Sequence, residues 1–564
     1  MIYKSNSYAR VTMNDGVTTL VIMPKYIEQV NGNFAYDFVE TTELWAGVTQ
    51  PSAAAITIIK PKAGTNPDLE NFLSTSADWR MTKLELFYSD SGTESYRKVS
   101  DGLIFTRSET ATTVTFTSRG YLDLLNITMV ETPLFRNRKV ATSIPSANTD
   151  AEKYAALKKQ DPTIIEGSSV GIINAILWII GGRPYKYKSL YDTQYSEVAG
   201  QRPKFYYDCT ASIINPEWLW FNYENLLNDL TSLCKAAGGI LNQDLDGVVR
   251  FKNIISTKQA ANGFLLTDSN FESMSINELG TEPYSKIVTT YTPRYLAGSQ
   301  EVFSAVINEY LNYNQSVERL IQFNKPVYKL VNKTISGQLT DTIVGDNFKY
   351  VKDKMNVVDT FGTKQIVSAK IEPHRKFYIT RYVWNEETNK FTKQKDGAVV
   401  PSQTTTLYIK NTLNQANTVF VGEVSLYGRA LEAAQQENYI LQLNQYPTVS
   451  GYKELRIGDN PYVQSESQAV RLVNISKYLM EKPRKVLTVN GVPYKEKLKL
   501  GETITVNSTF YAISGEFKIT SMSFSPTLAT TNLTLLSLSG LYSDGNMFVV
   551  GSSYQDDDSK ILSF

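Results

Sequence analysis

The chain has 564 residues, which at ~100–200 residues per domain allows about three to five domains and a core that needs no disulfide or metal staples. Its 57 Lys+Arg balance 56 Asp+Glu to a net charge of +1, which argues against a general nucleic-acid binder or a polybasic membrane binder. One histidine and two cysteines rule out most zinc sites, iron–sulfur clusters and disulfide frameworks, and an aromatic content of 12%, led by 35 Tyr, alongside abundant Thr, Ser, Val and Ile, favours strands.

The first residues, MIYKSNSYARVTMNDG, lack the apolar core of a signal peptide. Short alternating strands are predicted over the first ~130 residues. Lys83–Tyr88 alternates, and Ser89–Gly92 supplies turn chemistry. A strand from Tyr96 to Val99, a turn at Asp101-Gly102, a strand from Leu103 to Arg107 and the Thr-rich Thr112–Ser118 follow. Even spacing of this kind predicts a small barrel or sandwich. Arg119–Leu125 then switches to helical spacing.

Residues 140–168 are polar and read as a loop. A helix is predicted from Val170 to Ile180, stopped by Gly181-Gly182 and Pro184. The run VGIINAILWIIGG is too short to span a bilayer and reads as a buried helix. A second helix is predicted over Tyr223–Ala237, capped by Asn222 and ended by Gly238-Gly239. Its Leu226, Leu227, Leu230, Leu233, Cys234 and Ala237 share one face. Ile240–Gln243 and Val248–Lys252 flank Asp244-Leu-Asp-Gly247 as a hairpin. Cys209 and Cys234 have no CxxC spacing; two buried reduced thiols are the preferred reading, with one disulfide left open.

From ~260 to ~430 the pattern is β again, with runs such as Lys286–Tyr291 and Lys376–Val383, and a short helix is predicted at Arg429–Gln436. A clear helix spans Glu466–Met480, opened by a Ser465/Gln468 capping box and stopped by Pro483. Lys485–Val489, a turn at Asn490-Gly491, Lys499–Val506, Glu516–Thr520 and Thr531–Ser537 read as a second small barrel. No repeat of 20–50 residues is present.

Motifs for chemistry are sparse. Gly167-Ser-Ser-Val-Gly171 fits the nucleophile elbow, with Ser169 as nucleophile and His374 downstream. That elbow tops a parallel α/β sheet, which this sequence does not encode, so a polar loop with Ser168 or Ser169 capping a helix is preferred. Asp244-Leu-Asp246-Gly begins like a calcium loop, but Val248 and Ile255 occupy positions that need oxygen ligands. Two turn-forming Asp residues are the simpler account. Trp218, Trp220 and Phe221 could stack a sugar or a base, and more often anchor a core or interface. No GxGxxG, P-loop, HExxH or CxxC is present. No catalytic, cofactor-binding or metal residue is assigned, no cofactor is expected, and an enzyme is not expected.

Three stretches nevertheless resemble one family. Leu84–Leu125 contains LELFYSD, KVSDGLIFTRS and TTVTFTSRGYLDLLN; Asn225–Asn253 reads NLLNDLTSLCKAAGGILNQDLDGVVRFKN; and Tyr427-Gly428, Glu454–Gln464, the 466–480 helix and Lys485–Val489 lead into Leu500–Val506 and Gly515–Ser521. Together they resemble the baseplate or tail-tip hub proteins of tailed bacteriophages and related contractile injection machines. The stretches are fold-shaping patterns covering about half the chain, and 300–425 has no counterpart in the compact hubs.

The resemblance implies a mainly β fold with α+β segments: two small hub-type β-barrels, a helix-containing α+β domain and an inserted β-sandwich. The implied divisions are 1–130 for the first barrel, 131–260 for the α+β domain, 261–300 for strands linking back to the barrels, and 301–425 for the insertion. They continue with 426–484 for a second α+β segment, 485–540 for the second barrel and 541–564 for a tail. It also implies a homotrimer whose two barrels per subunit form a pseudo-sixfold ring. Its partners would be the tail tube protein, distal tail or baseplate proteins, the tape measure protein and a central spike or fibre. DNA would pass only in transit, with the protein made in the host cytoplasm and residing in the virion. The alternatives are a receptor-binding tail protein that holds a cell-surface saccharide and a tail-associated hydrolase.

Overall fold

The computed structural model describes residues 9–14, 19–35, 46–74, 79, 82–88, 97–127, 135–136, 163–164, 173, 176–177, 180–189, 203–209, 216, 218–220, 225–253, 262–279, 284–312, 314–339, 347–351, 356–358, 364–372, 379–385, 390–395, 404–411, 419–443, 454–480, 484–493, 495, 498–525 and 530–538. The proposed nucleophile Ser169, His374, Phe221 and the 541–564 tail lie outside the described residues.

Strand alternation in the sequence becomes one-sided burial. Along Ala53–Ile59 the side chains of Ala54, Ile56 and Ile58 turn inward, and along Thr113–Arg119 those of Val114, Phe116 and Ser118 do the same. These strands belong to a sheet of thirteen. Its first half runs in the spatial order Thr19–Ile22, Ala9–Asn14, Lys83–Tyr88, Arg97–Glu109, Thr113–Arg119, Ala53–Ile59 and Ile27–Ala35. Its second half holds Ile513–Ser525 between Thr530–Ser537 and Thr503–Ser508, with Arg484–Pro493 and Ser273–Leu279 beyond the former and Leu265–Thr267 parallel to the latter.

The two barrels expected from the sequence are therefore two curled half-barrels. Among the described residues neither closes on itself: Thr19–Ile22 pairs only with Ala9–Asn14, and Ser273–Leu279 only with Arg484–Pro493. Ile27–Ala35 joins the halves antiparallel to Ile513–Ser525, through Phe34↔Phe524 and Ala35↔Ser523. A net gain of about 1 kcal/mol per backbone hydrogen bond makes a joint this short weak by itself.

Two expected turns fall inside strands. Asp101-Gly102 lies within the strand Arg97–Glu109, which is paired on both sides, and a Cβ at Gly102 would collide with the main-chain oxygen of Arg119 on the neighbouring strand. Asn490-Gly491 lies within Arg484–Pro493, where pairing with Thr530–Ser537 shifts register between Val489 and Val492 as a bulge. The predicted helix at Arg429–Gln436 is also absent: residues up to Ala433 continue the strand Val419–Ala433, held by pairing on both sides.

Beside the half-barrels, Gly182–Pro184, Phe205–Cys209, Val248–Asn253, Gly239–Gln243 and Gly47–Val48 form a five-stranded sheet in that order. The helix Leu226–Ala237 packs on it, with the predicted apolar face buried and Gly238 ending it at φ 64°. Its cap is Asn225 rather than Asn222: the Asn225 Oδ1 accepts from the Leu227 N–H at 2.8 Å. Cys209 and Cys234 are both buried and form no disulfide. Both half-barrels, this sheet and the helix share one continuous apolar core that includes Ile56, Phe116, Leu230, Leu472 and Leu535.

The helix Glu466–Met480 forms over the predicted span and covers the sheet of Glu437–Gln442, Lys286–Tyr291 and Glu454–Ile457. Its capping box is displaced by one residue. The Gln468 N–H donates to Ser465 Oγ at 3.4 Å, but Gln468 Oε1 accepts from the N–H of Gln464, not of Ser465, at 2.8 Å.

The sandwich expected over 301–425 takes the form of a single eight-stranded sheet. Arg294–Leu311 and Ser316–Gln322 lie at its opposite ends, although only residues 312–315 separate them. So short a link brings the two edges together, and Val302 and Leu311 from one edge share a core with Ile321 and Ile409 from the other. No described helix is long and apolar enough to cross a membrane.

Candidate functional site

Besides the short joint and the shared core, the hairpin Gly239–Gln243/Val248–Asn253 touches both half-barrels. Its turn follows from local chemistry. The Gly247 N–H donates to the Asp244 main-chain oxygen at 2.9 Å, the Asp246 Oδ1 accepts from the Val248 N–H at 3.0 Å, and Gly247 sits at φ +81°. The Arg250 guanidinium donates to Asp246 Oδ2 at 2.8 Å and to Asp244 Oδ2 at 2.5 Å. Burial pulls the Arg250 pKa down, but the bonds and charges of Asp246 and Asp244 outweigh it and leave it above its ordinary value. These aspartates are thus turn formers and arginine partners, and no group of three or more potential metal ligands occurs among the described residues.

One end of the hairpin enters the first half-barrel. Gln243 Nε2 donates to the Asp101 main-chain oxygen at 2.6 Å, and its Oε1 accepts from the Tyr121 N–H at 2.6 Å. Asp101 is 3% exposed and accepts from the Tyr121 hydroxyl, from Lys98 Nζ at 3.0 Å and from Lys83 Nζ at 3.3 Å. Glu85 lies against the same two lysines. Burial alone would raise the Glu85 pKa, yet the lysine charges hold it below its usual value. Burial and the Asp101 charge push the Tyr121 hydroxyl well above the ordinary tyrosine range. A Cβ on Gly247 would run into the Asp101 carboxylate. The other end of the hairpin reaches the second half-barrel, where Lys252 Nζ donates to the Leu500 main-chain oxygen at 3.1 Å.

A second lock ties the indole segment to the 466–480 helix. Gln464 Oε1 accepts from the Trp218 N–H at 2.9 Å and its Nε2 donates to the Trp218 oxygen at 2.7 Å. The Tyr462 hydroxyl donates to the Trp220 oxygen at 2.8 Å. Both indoles are buried, and the Trp220 ring already meets the Tyr462 ring at 5.7 Å and the Arg294 guanidinium at 5.1 Å. They act as core anchors, and neither presents a free face to a saccharide.

These groups partner one another through the bonds and ion pairs above. What the arrangement can do is fix two half-barrels at one relative position. Sequence reasoning placed the hairpin but missed Gln243 and Asp101, whose only local signal was the recurrence of an Asp-Gly pair in two of the stretches that carried the family resemblance.

No family model and no curated protein matches the sequence. Among solved structures, the chain aligns with the 43 kDa tail protein of prophage MuSo2 from Shewanella oneidensis, with TM-score 0.39 and 9% identity over 95% of this chain and 99% of that one. A tail protein from Neisseria meningitidis MC58 gives TM-score 0.36 and 10% identity over 94% of this chain and 97% of that one. Prophage tail protein gp18 from Listeria monocytogenes gives TM-score 0.36 and 8% identity over 93% and 94%.

Proposed function

We propose that this chain is the structural hub of a phage tail tip or baseplate. Three copies form a ring that continues the tail tube, adapts its sixfold symmetry to threefold and leaves a central channel for DNA. The ring sits in the virion and anchors the tape measure protein and the distal or fibre proteins. The observation that carries this reading is the thirteen-stranded sheet, in which two half-barrels of one chain are joined edge to edge. Two such modules per chain are what a threefold assembly needs to present six positions.

The arrangement of side chains supports a scaffold role. Buried ion pairs and side-chain-to-backbone bonds tie the hairpin to both half-barrels, which suits a scaffold that must hold its modules in place. A net charge of +1 places no long-range repulsion between copies. In this reading the chain carries out no chemical step and holds no cofactor. The divisions at 130, 260, 300, 425, 484 and 540 stand as part of the proposal.

Electron microscopy of the purified protein tests it. Threefold ring-shaped particles with an open channel are expected. Particles without a channel, or of another symmetry, would remove the reading.

A further inference from the structure

The eight-stranded sheet is reached through two neighbouring strands that are both interrupted at the same level. Lys286–Tyr291 and Glu437–Gln442 pair antiparallel up to Tyr291↔Glu437, and the ladder resumes at Arg294↔Ala433, the first pair of Arg294–Leu311 with Val419–Ala433. Residues 292–293 on one side and 434–436 on the other belong to no strand. Among the described residues one main-chain bond crosses this gap, from the Ala434 N–H to the Pro293 oxygen at 2.9 Å. The Thr292 N–H turns away to the Val463 oxygen at 3.0 Å, and Pro293 has no N–H to add. A few residues between elements, free to absorb backbone rotation, are what a hinge is made of.

The apolar cores on the two sides of the gap are separate. Beyond it, Val302, Phe323, Ile409 and Val424 form the core of the eight-stranded sheet. Before it, Ile287 and Leu455 pack against Val473 of the 466–480 helix, whose Leu472 and Ile475 join the main core. A third, small core lies between them, where Trp218 and Trp220 meet Leu431 and Leu296. Leu296 and Leu431 are register partners two steps past the gap, so the indoles grip the base of the sheet and nothing further along it. The Arg294 guanidinium adds a contact over the Trp220 ring at 5.1 Å. The indoles themselves stay behind, because Gln464 and Tyr462 bond their main chain to the start of the 466–480 helix. Elsewhere the insertion pairs with residues outside it over two positions, Thr163↔Ile379 and Ile164↔Thr380.

We propose that residues 292–293 and 434–436 are a hinge, that Trp218 and Trp220 are the seat that latches it, and that the eight-stranded sheet swings as one arm when Leu296 and Leu431 leave the indoles. This inference stands apart from the hub reading. Spin-label distance measurements on the full chain, diluted with unlabelled chain, test it, since the native Cys209 and Cys234 are buried. Labels at Val306→Cys and Phe510→Cys span the hinge, and labels at Val306→Cys and Leu320→Cys both lie in the arm; all three positions are exposed. With the seat intact, each pair gives one narrow distance distribution. Trp220→Ala removes half of the seat, and Leu296→Ala loosens it from the arm side at a half-buried position that leaves the main core untouched. In both variants the spanning pair loses its narrow peak and spreads to new distances, while the pair within the arm keeps its distribution.

A spanning distribution that stays as narrow in both variants as with the seat intact overturns the hinge. A spanning distribution already broad with the seat intact overturns the latch. Broadening of the pair within the arm overturns the claim that the sheet moves as one unit.

Discussion

Gln243 donates from Nε2 to the main-chain oxygen of Asp101 at 2.6 Å, across 142 residues of sequence. The same amide accepts from Tyr121 N–H, so one buried side chain fastens the hairpin of the α+β unit to two adjacent segments of the first half-barrel. Replacing it with Ala strands a buried carbonyl and a buried N–H, each worth about 1–3 kcal/mol when unpaired. Gln243→Ala should therefore lower unfolding stability by about 2–5 kcal/mol in urea titration. A loss below 1 kcal/mol would show that water or neighbouring groups replace both bonds.

Gly247 and Gly64 form a matched pair for a backbone test. Both have positive φ, +81° and +79°, but a Cβ on Gly247 meets Asp101 while one on Gly64 meets nothing within 4 Å. Gly64→Ala should cost about 1 kcal/mol, the price of the left-handed conformation. Gly247→Ala should cost at least 2 kcal/mol more, because it also forces the hairpin off the first half-barrel. Equal melting temperatures for the two variants would contradict the docking geometry.

Arg471 on the 466–480 helix is buried, and its Nε has no hydrogen-bond partner among the described residues. Burial pushes its pKa down to about 10. A buried charge without a partner opposes folding, and hydrophobic replacement of buried charges is often neutral or stabilising by about 1–4 kcal/mol. Arg471→Met should raise the melting temperature at pH 7. Because the folded pKa is depressed, the wild-type penalty is full below pH ~10 and fades as pH rises toward the ordinary arginine value. The advantage of the variant should shrink along that interval, and a destabilised Arg471→Met chain at pH 7 would refute the argument.

Lys518 gives a second pH test. Burial, then the nearby Lys252 charge, lowers its pKa to about 8, against the opposing pull of Glu502. Between that value and the ordinary lysine pKa the unfolded chain holds the proton that the folded chain has lost, so stability rises with pH. The unfolding free energy should climb from pH 8 to pH 10 by roughly 1–2 kcal/mol in the wild type. In Lys518→Met that slope should disappear, and an unchanged slope would assign it to other groups.

Local patterns in the sequence reported local structure well. Alternation placed a strand at Thr112–Ser118, where the structure forms Thr113–Arg119, and the capping box and Pro483 placed the Glu466–Met480 helix, whereas the strand Ala53–Ile59 was not foreseen. Local signals misled where a distant strand decided the outcome. Asp101-Gly102 has turn chemistry, yet the glycine answers to the close approach of the Arg119 carbonyl. Arg429–Gln436 is rich in helix formers, yet neighbours on both sides draw its residues up to Ala433 into a strand. The candidate site was half legible for the same reason. The hairpin turn is written in Asp244–Gly247, but the partners of Gln243 lie in a separate part of the chain, and no periodicity announces the Phe34↔Phe524 joint.

The central claim, that two half-barrels per chain build a threefold hub, is tested most directly by the native mass of the purified protein in mass photometry. The account predicts a species of three chain masses that persists on dilution. A chain that stays monomeric at every concentration, or assembles with a copy number that is not a multiple of three, would contradict it.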